Sequence, residues 1–567
     1  MKKIAKKTCA FIVAASSLLS VTACGPEVVG GNEEGKTNIS VAIYSGGYGT
    51  NWIDGAIERF EKKYENTSFE TGKMGVNVIP NKDKSYTGTS LTTMVKNNDA
   101  INVYFAGEVP YRELYLDGAL LEITDLVKTT VNDQDGKTLE SKMTNDYKEF
   151  LSENGNYYAL PLYEAYNGIT YDAGVFKSKK LYFSDKADAT TSNKYPGTNA
   201  FVTSASDKKS CGPDGVFDTY DDGLPSTYQE FYKLMDKMTL NGVTPFVFSF
   251  NSTHYSNNLI ISLFENYVGA AGVNALFDYT TNGEQIEIVT GFSGDTPTTT
   301  SKALTRENAN QIKNSLGMYY ASEFAQKVFG NTTNYDTVNT ATTHLDAMER
   351  FMKSGLDGGN YIGMLLDGNW WYNEATDDGL FSDLVGTYPS TYQEKEFKFM
   401  PLPHQYAGTV TPRDDSEAMA PVLLSGGTYA FISANIPQER VAAAKAFLSF
   451  CYGDEELCKA TEVSNGVLRA VNYDFSGVVS NVGSYAQSVF AMRDQAIANN
   501  SLVTYTSRDS IFLSNMSYFT ISTISGFWKS GNYLDTYKAF HDGKLSAKDY
   551  FTGLAISDSD WANSYLK

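Results

Sequence analysis

The residues best suited to hold a small polar molecule lie together between Tyr361 and Glu374. Ile362 to Leu366 reads as a short buried strand. Asp367-Gly368-Asn369 then has the composition of a turn, because Gly and Asn adopt positive φ at low cost. Trp370 and Trp371 follow, and flat rings can cover the apolar face of a sugar while Asp and Asn satisfy its hydroxyl groups. The stretch predicts one wall of a ligand cleft, with simple core packing of both tryptophans as the alternative.

Strands and helices that alternate in the first part of the chain would position the opposite wall. We predict a strand over 39–44, a helix from about 52, a strand over 75–80, a helix over 87–97 and a strand over 101–105. This alternation is typical of a parallel sheet covered by helices, in which ligands collect beyond the carboxyl ends of the strands. The loops at 45–49 and 105–111 follow two of those ends. The glycine-rich loop at 45–49 lacks the endings of phosphate-binding and dinucleotide-binding loops.

The N-terminus has the pattern of an export signal. Lys2, Lys3, Lys6 and Lys7 precede an apolar run over 11–19 that is too short to span a bilayer. Val21-Thr22-Ala23-Cys24-Gly25 resembles a bacterial lipobox. We therefore predict a signal peptide over 1–24, lipidation (palmitate) at Cys24, a flexible tether over 25–37 and anchoring on the extracytoplasmic face of the cell membrane. An ordinary signal peptide with an incidental cysteine is the alternative. No later run is expected to cross a membrane.

Charge and cysteine content exclude several function classes. Without the four lysines of the signal, 42 basic side chains stand against 66 acidic ones, which argues against nucleic acid as a partner and against anionic lipid surfaces. Cys211, Cys451 and Cys458 form no disulfide framework and no paired metal motif. Cys451 and Cys458 could pair only if the helix between them breaks, for example at Gly453.

The chain shows no catalytic constellation. Its four histidines are scattered, and the Gly-x-Ser-x-Gly elbow of hydrolases is missing. Glu108, Glu164 and Glu374 could face one cleft, either as a glycosidase pair or as acceptors for sugar hydroxyls. We favour the second interpretation and predict a protein that is not an enzyme.

Several motifs together resemble one protein family. Tyr157 to Tyr171, with its Pro161 and its Tyr166-Asn167, resembles the segment that joins the two lobes in extracellular solute-binding proteins of ABC importers, in the sugar-binding family 1 similar to maltose-binding protein. The further matches, in the expected order, are Leu224 to Phe231, Leu366 to Trp371, Met400 to Pro403, and Gly426-Gly427 with Ala444 to Leu448.

The resemblance implies an α/β, two-lobed periplasmic-binding-protein-like fold of type II, with a hinge between the lobes and a ligand cleft at their interface. It implies a first lobe of 38–160 and 404–460 and a second lobe of 165–400 and 461–567, with insertions near 180–223 and 290–300. The closed form would deliver its ligand to membrane permease subunits.

The function that the resemblance implies is capture of a carbohydrate, best an oligosaccharide, outside the cell by a monomer that requires no cofactor. The alternatives are a surface glycoside hydrolase, a polysaccharide-binding lipoprotein, and a solute-binding protein for a non-sugar ligand. The expected ligand contacts are Tyr48, Phe105, Glu108, Tyr163, Glu164, Asn167, Asp367, Asn369, Trp370, Trp371 and Gly427.

One acidic loop could hold a cation. Its carboxylates are Asp214, Asp218, Asp221 and Asp222, and they lie around two glycines in a pattern that resembles part of the thrombospondin-type calcium repeats. Hard cations take several oxygens from a tightly turned loop, so we predict a structural Ca²⁺ ion here. A solvated acidic loop is the alternative.

Overall fold

Two separate β-sheets organise the molecule. A computed structural model describes residues 31–97, 100–188, 194–251, 254–336, 342–388, 395–404, 422–425, 427–505, 526–529, 532–535, 540–543 and 545–564. The signal segment and Cys24 lie outside these residues. The described residues include the end of the predicted tether, where the Glu33 N–H donates to the Asn38 side chain (2.8 Å).

Strands of the two main sheets are largely buried, and all the strands are short. They are β1 (Thr37–Tyr44), β2 (Val76–Asp83), β3 (Val103–Ala106), β4 (Ser152–Glu153), β5 (Asn156–Tyr157), β6 (Ala159–Pro161), β7 (Asn167–Asp172), β8 (Phe183–Ala187), β9 (Asn199–Phe201), β10 (Val243–Val247), β11 (Ile286–Ser293), β12 (Thr296–Lys302), β13 (Tyr361–Gly368), β14 (Phe397–Met400), β15 (Val422–Ser425), β16 (Tyr429–Ile432), β17 (Leu502–Tyr505), β18 (Gly526–Lys529) and β19 (Asn532–Asp535).

The helices cover the sheets and carry the connections between strands. They are α1 (Asn51–Lys63), α2 (Gly88–Asn97), α3 (Tyr111–Leu116), α4 (Thr124–Lys128), α5 (Leu139–Lys142), α6 (Asn145–Leu151), α7 (Ala173–Ser178), α8 (Tyr228–Leu240), α9 (His254–Phe277), α10 (Leu316–Phe329), α11 (His344–Met352), α12 (Trp371–Asp377), α13 (Leu380–Thr387), α14 (Val441–Cys451), α15 (Asp454–Val463), α16 (Ser484–Ala498), α17 (Ala547–Leu554) and α18 (Asp558–Ser564). Short 3₁₀ turns lie at Ala309–Asn314, Thr332–Asn334, Leu356–Gly358, Gln438–Arg440 and Val479–Asn481.

The first lobe is built on the sheet β2-β1-β3-β16-β6. β1 runs parallel to β2 and β3, whereas β16 is antiparallel to β3 and β6. Helix α1 packs on this sheet because its apolar residues recur on one stripe, from Trp52 to Phe60. The core combines residues 39–163 with residues 429–471.

The second lobe is built on the sheet β10-β13-β7-β14. β13 runs parallel to β10 and antiparallel to β7, so its last residue, Gly368, pairs with Asn167 at the start of β7. The core residues of this lobe lie between 166 and 400 and again between 485 and 554. Two sheets with separate cores confirm the expected α/β, two-lobed organisation.

Residues 290–300, where the sequence predicts an insertion, lie in an antiparallel hairpin, β11–β12. The structure departs from the expected elements at one place. Among the described residues, Leu259–Leu276 within α9 is long and apolar enough to span a membrane by length and composition, contrary to the expectation from sequence. However, 72% of that window is buried inside the protein, as in the core helix of a lobe.

Cys211, Cys451 and Cys458 are free thiols. The helix does end between the last two, since α14 stops at Cys451 and α15 begins at Asp454 after Gly453. The break therefore removes the geometric objection to pairing, but no bond is present.

Candidate functional site

The candidate site lies where the carboxyl end of the first lobe's sheet faces the end of β13 in the second lobe. An open cavity of about 430 Å³ occupies part of this interface. The first lobe lines it with Ser45, Gly46, Thr50, Asn51, Asp54, Lys82 and Lys84, and the second lobe lines it with Glu374, Asp377 and Asp378. The cavity is therefore shared between the lobes, and both supply charged side chains.

Aromatic rings from the two lobes meet beside this cavity. Tyr48, in the loop after β1, contacts Trp370 edge-on, with 5.6 Å between ring centroids. The other side of Tyr48 stacks on Tyr163 at 4.6 Å. Gly47 makes the approach possible, because a Cβ there would lie 2.3 Å from the Trp370 ring. The Asn373 side chain also donates to the Gly47 carbonyl (3.2 Å), which ties α12 to the loop.

Trp370 is held in place by its own turn. The residue follows β13 directly, and a Cβ on Gly368 would lie 2.2 Å from its ring. The Trp370 side chain is also hydrogen-bonded to that of Tyr255 at the start of α9. Trp370 remains half-buried, and its role in the cleft wall stays a prediction.

Two carboxyl groups of the second lobe lie close together behind this wall. Burial, and then the charge of Glu374, raise the pKa of Asp367 well above its usual range. Burial and the charge of Asp378 raise the pKa of Glu374 to about 7, although Lys84 acts in the opposite direction. The pKa of Tyr44 rises to about 12 through burial and through the charges of Glu108 and Glu374. Tyr44 therefore lies between acids that belong to different lobes.

Glu108 sits at the end of β3 with an unusual backbone. Its φ is 38°, in the left-handed region that residues with a side chain rarely adopt. Backbone hydrogen bonds fix this loop, since the Gly88 N–H donates to the Glu108 carbonyl (3.1 Å) and the Val109 N–H donates to Gly427 (2.8 Å). Strain of this kind persists where a functional residue must be aimed. Glu108 is exposed and Gly427 adjoins this loop, and the contact of both residues with a ligand stays a prediction.

Trp371 and Phe105 are not cleft residues, which corrects the expectation for both. Trp371 is fully buried, with Phe397 and Tyr485 packed edge-on at 5.2 and 5.3 Å. Phe105 is 1% exposed and packs on Trp52 in the core of the first lobe. Trp371 begins α12 and lies on its buried face with Ala375, and Phe105 lies in β3, in which all four residues are buried.

Glu164 and Asn369 belong to the hinge, which corrects their assignment as ligand contacts. Arg493 of α16 holds Glu164 through two hydrogen bonds of 2.6 and 2.8 Å, and the Tyr166 hydroxyl donates a third (2.8 Å). The Asn369 amide bonds the backbone of the same crossing segment, accepting from the Tyr166 N–H (2.9 Å) and donating to the Glu164 carbonyl (3.3 Å). Both side chains are buried and already use their hydrogen-bonding capacity.

Tyr163 and Asn167 support the site from behind. Tyr163 is 2% exposed, its hydroxyl accepts from the Trp52 indole (3.1 Å), and the Arg469 guanidinium lies 4.5 Å from its ring. It therefore backs the ring of Tyr48. Asn167 opens β7, is half-buried and pairs with Gly368 at the strand end.

Sequence reasoning did not single out Tyr44, Tyr255, Asn373 and Asp377 at the interface. Tyr44 is the last residue of a predicted strand, so its position at a carboxyl end was a usable signal. Asn373 and Asp377 lie at i and i+4 on α12 and thus share a face. Nothing local marks Tyr255, which reaches the cleft from the start of a helix distant in sequence.

The acidic loop forms its own network of hydrogen bonds. Asp221 accepts from the Asp214 N–H (2.9 Å), and Asp222 accepts from the N–H groups of Asp218 (3.0 Å) and Thr219 (3.4 Å). Burial and the neighbouring Asp214 raise the pKa of Asp221 well above its usual range. In the part of the chain that the structure describes, no three acidic, histidine or cysteine side chains converge as ligands of a metal ion.

Comparison with known proteins identifies the fold. No family model and no curated protein matches this sequence. Among solved structures, the chain is similar to a chitin oligosaccharide binding protein, with 13% identity and a TM-score of 0.54 over 94% of this chain and 100% of the other. It is also similar to a binding protein of an ABC transporter from Bifidobacterium animalis subsp. lactis in complex with mannobiose, with 12% identity and a TM-score of 0.54 over 94% and 95%. The likeness covers nearly the whole chain and confirms the two-lobed binding-protein fold.

Proposed function

We propose that this protein captures an oligosaccharide outside the cell, as the substrate-binding subunit of an ABC transporter, and hands it unchanged to permease subunits in the membrane. It acts as a monomer and needs no cofactor for capture. The observation that carries the proposal is the pair Tyr48 and Trp370, which come from different lobes and meet at 5.6 Å beside a cavity that both lobes line.

The chemistry of the cleft suits a sugar. Half-buried aromatic rings can stack on the C–H face of a pyranose, while Glu108, Asp367 and Glu374 can accept hydrogen bonds from its hydroxyls. The mannobiose and chitin oligosaccharide named for the two similar structures are ligands of the same kind. A two-lobed body that closes on its ligand presents a distinct shape to a permease.

A thermal-shift screen over neutral oligosaccharides tests this function. We expect at least one to raise the melting temperature, because a ligand that binds only the folded state stabilises it by mass action. Trp370→Ala should then weaken affinity about tenfold, since an aromatic stacking contact contributes about 1–1.5 kcal/mol. Tyr158→Ala is the matched control, because that ring packs on Tyr115 away from the cleft. Equal binding by parent and Trp370→Ala would contradict the stacking role, and turnover of chromogenic glycosides would contradict capture without chemistry.

We further propose that Cys24 carries the lipid that keeps the protein at the membrane. The support is the sequence pattern Val21 to Gly25, since this segment lies outside the described residues. Cys24→Ala should move the protein from the membrane fraction to the medium, while Cys458→Ser should leave it in place. Retention of the Cys24→Ala protein would argue against the anchor.

A structural Ca²⁺ ion in the loop 214–222 is a separate proposal that rests on the sequence pattern. The raised pKa of Asp221 beside Asp214 is consistent with two buried carboxyl groups that need either a proton or a cation. Melting curves with and without a chelator decide between them, because loss of a bound ion lowers the midpoint. An unchanged midpoint means that a proton suffices.

A further inference from the structure

We propose that the cleft selects oligosaccharides without carboxylate groups and binds amino sugars most tightly, with Glu374 as the residue that sets this preference. The inference rests on the proposed sugar-binding function and adds the charge class of the ligand. Its basis is the balance of charged groups around the shared cavity.

Both cations in the described lining of the cavity are already paired with acids. Lys82 forms an ion pair with Asp54 (2.7 Å), and Lys84 lies 4.0 Å from Asp378 across the lobe interface. Each lysine therefore has its own carboxylate within the same cavity. A ligand carboxylate would have to share a cation with one of these acids and would meet its negative charge.

These pairs leave over two acids of the lining, Glu374 and Asp377. The Glu374 side chain is 12% exposed, and its Oε2 atom is buried without a hydrogen-bond partner among the described residues. His344 Nε2 lies 3.6 Å from the other oxygen, but burial and the charge of Lys84 lower the pKa of His344, which disfavours the charged form of the ring. A buried acceptor without a partner is costly, so a ligand donor at this place is favoured.

The other acids of the interface contribute unequally to this field. The charge of Glu108, from the first lobe, acts on Tyr44 together with that of Glu374, whereas the raised pKa of Asp367 favours its neutral form. Asp377 accepts a hydrogen bond from the Thr50 N–H at the start of α1. One full charge about 6 Å away, at an effective dielectric constant of about 20, changes affinity about a hundredfold. An anionic sugar should lose about this factor, whereas an ammonium group should gain affinity.

Proton linkage predicts a pH dependence of amino-sugar affinity that can be measured separately. Since the pKa of Glu374 is raised to about 7, the group is partly protonated at neutral pH. An ammonium group beside it favours the carboxylate and expels the proton. Binding of an amino sugar should therefore strengthen as the pH rises from 6 to 8, provided that the amine stays charged. A neutral sugar has no net charge with which to drive this release.

The test compares three forms of one trisaccharide: the neutral sugar, its C6 carboxylate and its C6 amine. The backbone is the neutral trisaccharide that shifts the melting temperature most, and affinities are measured by calorimetry at pH 6 and 8. We expect the acid to bind at least tenfold more weakly than the neutral form, and the amine at least tenfold more tightly. Glu374→Gln should reduce the ratio between amine and neutral affinities at least fivefold. Glu349→Gln, which removes an exposed charge of the same lobe, should keep the parent ratio.

The outcomes distinguish a failure of the charge preference from a failure of the proposed sugar capture. If the acid binds as well as the neutral form, or if Glu374→Gln leaves the ratio unchanged, the charge preference is overturned while sugar capture stands. When no neutral trisaccharide binds, glucosamine and galacturonic acid trimers replace the matched set. Should neither of those bind, sugar capture fails and the inference falls with it.

Discussion

The buried ion pair between Glu164 and Arg493 yields the sharpest prediction. Glu164 lies in the segment that crosses between the lobes, and Arg493 lies on α16 of the second lobe. Their side chains are 4% and 9% exposed, and two short hydrogen bonds join them. Arg493→Leu would leave the carboxylate buried with the Tyr166 hydroxyl as its remaining side-chain donor.

The expected cost follows from this burial. Removing one partner of a buried ion pair typically costs about 3–5 kcal/mol, because the other charge is stranded. For a second lobe of roughly 340 residues, whose unfolding entropy is about 0.7 kcal/mol/K, this corresponds to a fall in melting temperature of about 4–7 °C. Glu164→Gln should also destabilise the protein. The Glu164→Leu/Arg493→Leu double variant should lose less than the sum of the single changes, since no charge is then left unpaired.

Urea denaturation followed by tryptophan fluorescence measures these free energies. Asp494→Asn is the matched control, because this carboxylate is 61% exposed, although it too lies 3.5 Å from Arg493, and its loss should change stability by less than about 1 kcal/mol. Sugar affinity is measured on the same proteins at a temperature where all are folded. Unchanged stability of Arg493→Leu, or a Glu164→Gln protein that keeps its stability but loses sugar binding, would refute the hinge role and restore Glu164 as a ligand contact.

Three further predictions follow from the packing and the charges at the interface. Trp371→Ala should cost about 3–5 kcal/mol of unfolding free energy because it empties a core site. Trp371→Phe should cost clearly less, since the indole nitrogen has no partner among the described residues. Equal losses of stability for the two variants in denaturation would contradict this prediction. Gly47→Ala should weaken sugar binding at unchanged stability, because its Cβ would lie 2.3 Å from the Trp370 ring and hold the lobes apart, while Gly386→Ala, with no atom within 4 Å, should bind like the parent in calorimetry. The raised pKa of Glu374 means that the folded state binds its proton more tightly, so this group stabilises the protein below pH 4.5 and loses that contribution as the pH rises to about 7. The stability of the parent relative to Glu374→Gln should therefore fall by on the order of 2–3 kcal/mol between pH 4.5 and 8, and parallel melting curves for the two proteins would contradict the assignment.

The local sequence pattern was sufficient to predict the strands and turns that position the site. The strand–turn–aromatic sequence from Ile362 to Trp370 predicts a buried strand whose end faces a cleft, and the structure shows β13 followed by a half-buried Trp370. The same holds for β1 and its glycine-rich loop. Strand ends are set by periodicity and turn residues, which are local properties.

Which polar residues are free to bind a ligand, and which already bind other protein groups, depends on partners far away in sequence. Nothing near Glu164 indicates that Arg493, 329 residues later, will bind its carboxylate. Nor does the turn at Asn369 show that its amide will be used by the crossing segment. Sequence types identify which groups can bind a hydroxyl, but only the tertiary contacts show which of them are already occupied.

The strand β16 has a consequence for the order in which the molecule is assembled. It lies between β3 and β6 in the first sheet, yet it follows them by more than 260 residues. A chain that emerges N-terminus first therefore exposes two unpaired strand edges until residue 432 arrives. By then all four strands of the second sheet, which ends at Met400, are available. The second lobe can thus complete its sheet before the first lobe completes its own.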